Sequence, residues 1–263
     1  FKNGSVITVN AKDEIAQAVG VKGNKIVFVG TNEEIDQLID EKTQVIDLKG
    51  RTLMPGINDS HYHPILNGMI GTDLDSAMVD TGFAQAKDIP SVLAILKAVT
   101  DTKAPGKWVS SMGFEATLLK EQRYPTLEEL DAVAPNNPLQ AITCNGHNAI
   151  YNSKALEYLK VYTAEDAKKY PEGEVVVADG KLTGEVRGHT HFWLWGQVEY
   201  TEPQQRKAAM KSQKQCLELG ITSVGDMGEC DAPSYHIMQK MCRDGDFKIR
   251  SYMALHSIFG KHY

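Results

Sequence analysis

Asp59, His61 and His63 stand two residues apart in the stretch LMPGINDSHYHP, residues 53–64. Successive side chains of a β-strand point to opposite faces, so a strand here sends these three one way and Ser60 and Tyr62 the other. Two neutral imidazoles on one strand face can hold one metal ion, and nitrogen donors suit Zn, Fe, Ni or Mn. Asp59, one step back on the same face, is placed to orient a ligand or the strand end. Pro55 and Gly56 break the chain ahead of this element, and Pro64 has no N–H to give a ladder, so the strand is expected to be short. A His-x-His pair also arises on exposed turns, and spacing alone leaves that reading open.

The elements that must position these groups follow from the rest of the chain. It has 263 residues, 28 basic and 34 acidic, a formal charge of −6, a pI of about 5.8 and 42% hydrophobic residues. That composition belongs to a globular protein with a sizeable core. The mild acidity, without a basic stripe, argues against nucleic acid as the main partner. No apolar run approaches the roughly 20 residues of a membrane-spanning helix, and no signal-like segment opens the chain, so no membrane partner is expected. Cys144, Cys216, Cys230 and Cys242 are scattered without a C-x-x-C pair. They read as reduced thiols of a cytoplasmic protein, not as zinc ligands. Phe1 falls inside an expected strand, so the reading includes chain upstream of it.

Residues 1–51 read as short strands with one small helix. Ser5–Val9 is β-rich, Ala18–Val21 and Lys25–Val29 flank the turn Lys22-Gly23-Asn24, and Thr31 or Asn32 caps a helix over Glu33–Leu38. Val45–Leu48 and Thr52–Met54 complete the set. From about 65 to 203 the pattern mixes a helix at Ser91–Thr100, strands at Trp108–Phe114 and Leu139–Thr143, and a capping box from Thr126 to Glu129. Asn152-Ser153 caps a helix over Lys154–Leu159, and Tyr170–Gly188 is hairpin-like about Asp179-Gly180. The alternation of helix Gln204–Leu219, strand Ile221–Gly225, helix Ser234–Arg243 and strand Phe247–Leu255 predicts a parallel βα architecture.

The run PGINDSHYHP resembles the first-strand signature of the amidohydrolase superfamily of metal-dependent hydrolases. The segments NGSVITVN, AVGVKGNKIVFVG and VIDLKGRTLMPGINDSHYHP resemble an amidohydrolase amino terminus. WVSSMGFE, LDAVAPNNPLQAITCNGHNAIYNSKAL, DGKLTGEVRG and LELGITSVGDMG narrow the likeness to amidohydrolase family 3, the branch that contains N-substituted formamide deformylase. The resemblance implies an α/β fold. Residues 1–51 would be the first piece of a small β-sandwich, and 52–263 the first part of a (β/α)₈ TIM-like barrel. Within the barrel part, 65–203 would be an insertion that forms a lid. A closed barrel takes about 250 residues, and only three core strands are expected before Tyr263. The chain therefore reads as the amino-terminal part of a longer protein. The family's metal-bridging lysine or carboxylate, its two further His ligands and its catalytic Asp lie on later strands, so the general acid/base is expected beyond Tyr263.

On this resemblance His61 and His63 are the metal ligands, Asp59 supports them, and the cofactor is a divalent metal, zinc by preference, as one or two ions. The expected activity is hydrolysis of an amide-type, non-peptide C–N bond of a small molecule by metal-activated water. A homo-oligomer fits this class of protein. The alternative is a non-catalytic regulatory or binding protein that keeps the fold. His147 in GHNAIYNS resembles the family's Gly-His and is a candidate for substrate contact or a plain loop residue. His189-Thr190-His191 is a second His-x-His, but the family places an apolar helix start there, so lining a pocket with Trp193 and Trp195 is the preferred reading. Glu185 and Arg187 can pair with each other or with substrate. Asp226 reads as a satisfied carboxylate at a strand end. Where the family carries an acid shortly after TG-x-x-x, this chain has Gly188.

Overall fold

The computed structural model describes residues 1–230 and 232–255, with the side chains of 229, 230 and 232 set aside, so the Cys230 thiol lies outside the described residues. β1 (Ser5–Ile7), β2 (Ile15–Ala16), β3 (Ala18–Lys22) and β4 (Lys25–Gly30) precede a short helix, α1 (Asn32–Asp36), and β5 (Thr52–Leu53) follows it. β1 pairs antiparallel with β2 and parallel with β5. β3 and β4 form the expected hairpin, with Gly23 at φ +60° in its turn. Thr31 and Glu34 close a capping box on α1, each satisfying a backbone N–H of the other. Val45–Leu48 is not the strand its β-branched start suggested, and only an isolated Lys2–Asp47 bridge forms there. The Asp47 carboxylate accepts from Lys49 N–H at 3.0 Å and from Asn3 at 3.2 Å, a local turn that competes with ladder pairing.

β6 (Ile57–Asp59) ends before His61, which corrects the expectation of a strand through both histidines. Ser60 and His61 bend, and His63 at φ −120° and ψ 89° precedes helix α2 (Pro64–Met69). Two local causes suffice. Asp59 Oδ1 accepts from His61 N–H at 3.1 Å, taking it out of any ladder. Pro64, with its fixed φ and missing N–H, starts a helix at no hydrogen-bond cost.

Next come β7 (Ile70–Gly71), β8 (Met78–Asp80), α3 (Ile89–Thr100), β9 (Val109–Phe114), α4 (Leu127–Val133), β10 (Leu139–Thr143), β11 (Asn148–Tyr151) and α5 (Ser153–Leu156). β12 (Val175–Ala178), β13 (Lys181–Arg187) and α6 (Gly188–Trp195) follow. Their strands form a seven-stranded sheet in the order β12-β13-β11-β10-β9-β8-β7, parallel from β7 to β10 and antiparallel beyond. Alternate side chains enter two cores. Val79, Phe114, Leu139, Ala141 and Ile150 join residues of α3 and α4, whereas Met78, Ile142, Ala149 and Tyr151 join residues of α2, α5 and α6.

The last elements are α7 (Glu202–Glu218), β14 (Ile221–Cys230), α8 (Ala232–Asp244) and β15 (Arg250–Leu255). β14 and β15 are parallel, in a sheet of order β15-β14-β6. Ile57 N–H donates to Gly220 O at 2.9 Å and Tyr62 N–H to Gly225 O at 2.8 Å. Both partners advance in step, as parallel pairing requires. The chain forms two compact units, Phe1–Asn58 with Gly220–Thr222, and Asp59–Leu219 with Ser223 onward. Among the described residues no helix is long and apolar enough to cross a membrane.

Candidate metal centre

The bend after β6 is fixed at several points. Tyr62 N–H is held by Gly225 O, and the Tyr62 hydroxyl shares a 3.0 Å hydrogen bond with Ser212 Oγ on α7. Burial raises the Tyr62 pKa to about 12, so the phenol stays protonated at neutral pH. Beyond His63, α2 lies against α7 so closely that a Cβ on Gly68 would fall 1.8 Å from Ala208 O. β14 also comes close to the bend, where a Cβ on Gly225 would fall 2.9 Å from Ser60 O. Glycine at both positions lets backbones approach where a methyl group would collide.

Within this frame the His61 and His63 rings lie 5.0 Å apart, centroid to centroid, at 85° to each other. His61 is exposed and His63 half-buried. Asp59 supports the pair through the backbone, by its bond to His61 N–H. His63 Nδ1 lies 3.1 Å from Oδ1 of Asp226, which is 4% exposed on β14. A carboxylate only accepts, so Nδ1 carries a proton, and in the neutral ring Nε2 keeps its lone pair. In the sequence Asp226 reads only as a satisfied carboxylate at a strand end. The signal that would have singled it out is its place at the end of TSVGD, in the strand beside the His-x-His element.

These donors suit a divalent metal: two imidazoles in close approach, one backed by a carboxylate, as metal-bound histidines usually are. Their number falls short of the about three protein ligands of a catalytic zinc. Among the described residues no group of three or more His, Cys, Asp or Glu side chains is arranged to hold a metal.

His147 is exposed in the loop between β10 and β11 and meets Phe192 edge-on at 5.7 Å. Trp193 is 40% exposed, whereas Trp195 is 5% exposed and packs in the core against His191 at 5.6 Å. His189 and His191 do not form a second pair. They fall on helix α6, where residues two apart do not face each other, so His189 is exposed and His191 fully buried. His191 Nε2 donates to Gly146 O at 3.1 Å and Nδ1 accepts from the Tyr151 hydroxyl at 2.9 Å. Burial brings the His191 pKa down to about 4.

Glu185 and Arg187 pair with each other, Nε to Oε1 at 2.7 Å and Nη2 to Oε2 at 2.9 Å, a two-pronged ion pair. Gly188, at φ +58°, opens α6, and the Glu174 carboxylate caps the helix by accepting from His189 and Thr190 N–H at 3.2 and 3.0 Å. A Cβ at 188 would fall 2.7 Å from Glu174 Oε1. An acidic residue there would face a carboxylate at close range, which accounts for the glycine.

The amidohydrolase family model matches residues 44–257. The chain is 33% identical over 235 residues to N-substituted formamide deformylase of Arthrobacter pascens, spanning 85% of this chain and 41% of that protein. It is 26% identical over 258 residues to the exoenzymes regulatory protein AepA of Pectobacterium carotovorum subsp. carotovorum, spanning 95% of this chain and 53% of that protein. A crystal structure of an uncharacterized metal-dependent hydrolase from Pyrococcus horikoshii superposes with a TM-score of 0.63 at 23% identity, covering 97% of this chain and 47% of that one. The chain thus spans about half the length of the relatives it matches.

Proposed function

The chain belongs to the amidohydrolase family, and from that premise we propose that it carries part of the metal site of a cytoplasmic hydrolase cleaving an amide-type, non-peptide C–N bond of a small molecule. In this reading β6, β14 and β15 are the first three strands of a (β/α)₈ barrel, and 65–203 is an inserted lid. His61 and His63 would hold a divalent metal, zinc by preference, through ring nitrogens. Such an ion supplies a nucleophile at neutral pH and polarises a carbonyl oxygen.

The chain's own residues do the positioning. Asp59 fixes the backbone of the bend at His61 N–H. Tyr62 ties the bend to β14 and α7, and Asp226 orients His63. His147 and Trp193 are the exposed candidates for substrate contact from the lid segment, with Trp195 in the core. The observation that carries the proposal is the close approach of the two imidazoles at 5.0 Å, one of them backed by a buried carboxylate.

The test is metal analysis and hydrolysis of N-substituted formamides and related amides by the full-length protein beside a His61→Ala, His63→Ala double variant. Loss of both metal and activity is expected. Equal metal content and equal activity would make the His-x-His stretch structural and favour a regulatory or binding role.

A further inference from the structure

We infer that Asp226 is a positioning residue: it fixes the tautomer and ring orientation of His63 so that Nε2 faces the metal. This rests on the proposed metal role of His63. First, Asp226 Oδ1 lies 3.1 Å from His63 Nδ1, and the side chains are 6% and 17% exposed, so the contact is largely shielded from competing water. Second, the approach is built into the backbone. Gly225 has no side chain where a Cβ would meet Ser60 O at 2.9 Å, and its carbonyl receives Tyr62 N–H at 2.8 Å. The residue before Asp226 is therefore clamped to the residue before His63.

Third, the two ring nitrogens divide their tasks. The carboxylate accepts a hydrogen bond, so Nδ1 is the N–H and, in the neutral ring, Nε2 is the lone-pair donor. A free imidazole would split between two tautomers and rotate about its χ angles. A ring held from behind presents one nitrogen in one direction, and loss of such an outer partner typically costs about 10–100-fold in metal affinity. Asp226 itself need not touch metal or substrate.

The experiment uses the full-length protein in three forms, wild type, Asp226→Ala and Asp226→Asn, with His63→Ala as reference. Zinc affinity is read by competition with a chelator, and the His63 tautomer from imidazole ¹⁵N shifts of the metal-free wild type at pH 8. The expected results are an Nδ1-protonated His63 and a zinc affinity about 10–100-fold lower in Asp226→Ala. Asp226→Asn, whose amide oxygen still accepts from Nδ1–H, should recover most of that loss. An Nε2-protonated His63 in the wild type would overturn the inference even if no variant folds. So would wild-type affinity in Asp226→Ala, or an Asp226→Asn as weak as Asp226→Ala, which would mean that charge and not orientation matters. Wild-type zinc affinity in His63→Ala would remove the metal reading itself, an outcome separate from failure at Asp226.

Discussion

His191 has both ring nitrogens occupied and no access to water, so its neutral form is part of the fold. Its pKa falls to about 4 because burial disfavours the imidazolium, with His147 adding a smaller repulsion. In the unfolded chain the group titrates near the ordinary value of about 6.5. Between these values the unfolded state binds more protons, so stability is complete above about pH 6.5 and is lost as pH falls toward about 4. The full difference is on the order of 3 kcal/mol. Urea unfolding of wild type and His191→Phe from pH 7.5 to 4.5 should show a steeper loss in the wild type, and parallel curves would refute the assignment. Asn152 shows a second kind of fixed side chain. Fully buried, it accepts from Leu139 and Ala155 N–H and donates to Ala134 and Asn137 carbonyls, all at 2.9–3.0 Å. A helix cap alone is worth about 1 kcal/mol. Asn152→Ala also deprives three further backbone groups, Leu139 N–H and the Ala134 and Asn137 carbonyls, of this partner, at about 1–3 kcal/mol for a buried unsatisfied one, so chemical denaturation should report at least about 3 kcal/mol of lost stability.

Between residues and fold stand the elements, and α2 is the one that follows the histidines. Gly68→Ala would gain about 1 kcal/mol in helix propensity, but the added Cβ falls 1.8 Å from a backbone carbonyl of α7, which cannot swing aside. Overpacking costs about 1–3 kcal/mol and forces the backbone to shift. The net effect should be a lower melting temperature together with weaker metal retention, because α2 carries the chain out of His63. A Gly68→Ala protein more stable than wild type would show that the two helices part freely. The contrast between elements explains what could be read in advance. The caps of α1 and α4 and the turn at Asp179 and Gly180, with φ of +49° and +74°, involve neighbours within a few residues and were legible. β7, β8 and β11 were not, because they are short and their sheet is packed on both faces, which erases the polar–apolar alternation. The His-x-His motif was legible as chemistry, but its strand ended early under the pull of the Asp59 side chain and Pro64. Asp226 stands 163 residues from His63, a distance that no local pattern spans.

At the scale of the whole molecule, the ligand count among the described residues sets the expected hold on a metal. His61 and His63 supply two nitrogen donors, and no third side chain joins them among the described residues. A catalytic zinc takes about three protein ligands. Two imidazoles held in place still compete with water and buffer for the remaining positions, so the ion should exchange readily. The chain meanwhile spans 41% of the deformylase relative and 53% of the regulatory relative, which leaves room for further donors in proteins of that length. The 263-residue chain on its own should therefore yield its metal to a mild chelator within the time of a desalting column. A protein carrying this sequence to the length of its relatives should keep about one equivalent or more through the same step. Elemental analysis before and after chelation measures both. Retention by the short chain equal to that of the long one would mean that its own residues complete the site, and the two-histidine account would have to give way to one with a ligand not yet identified.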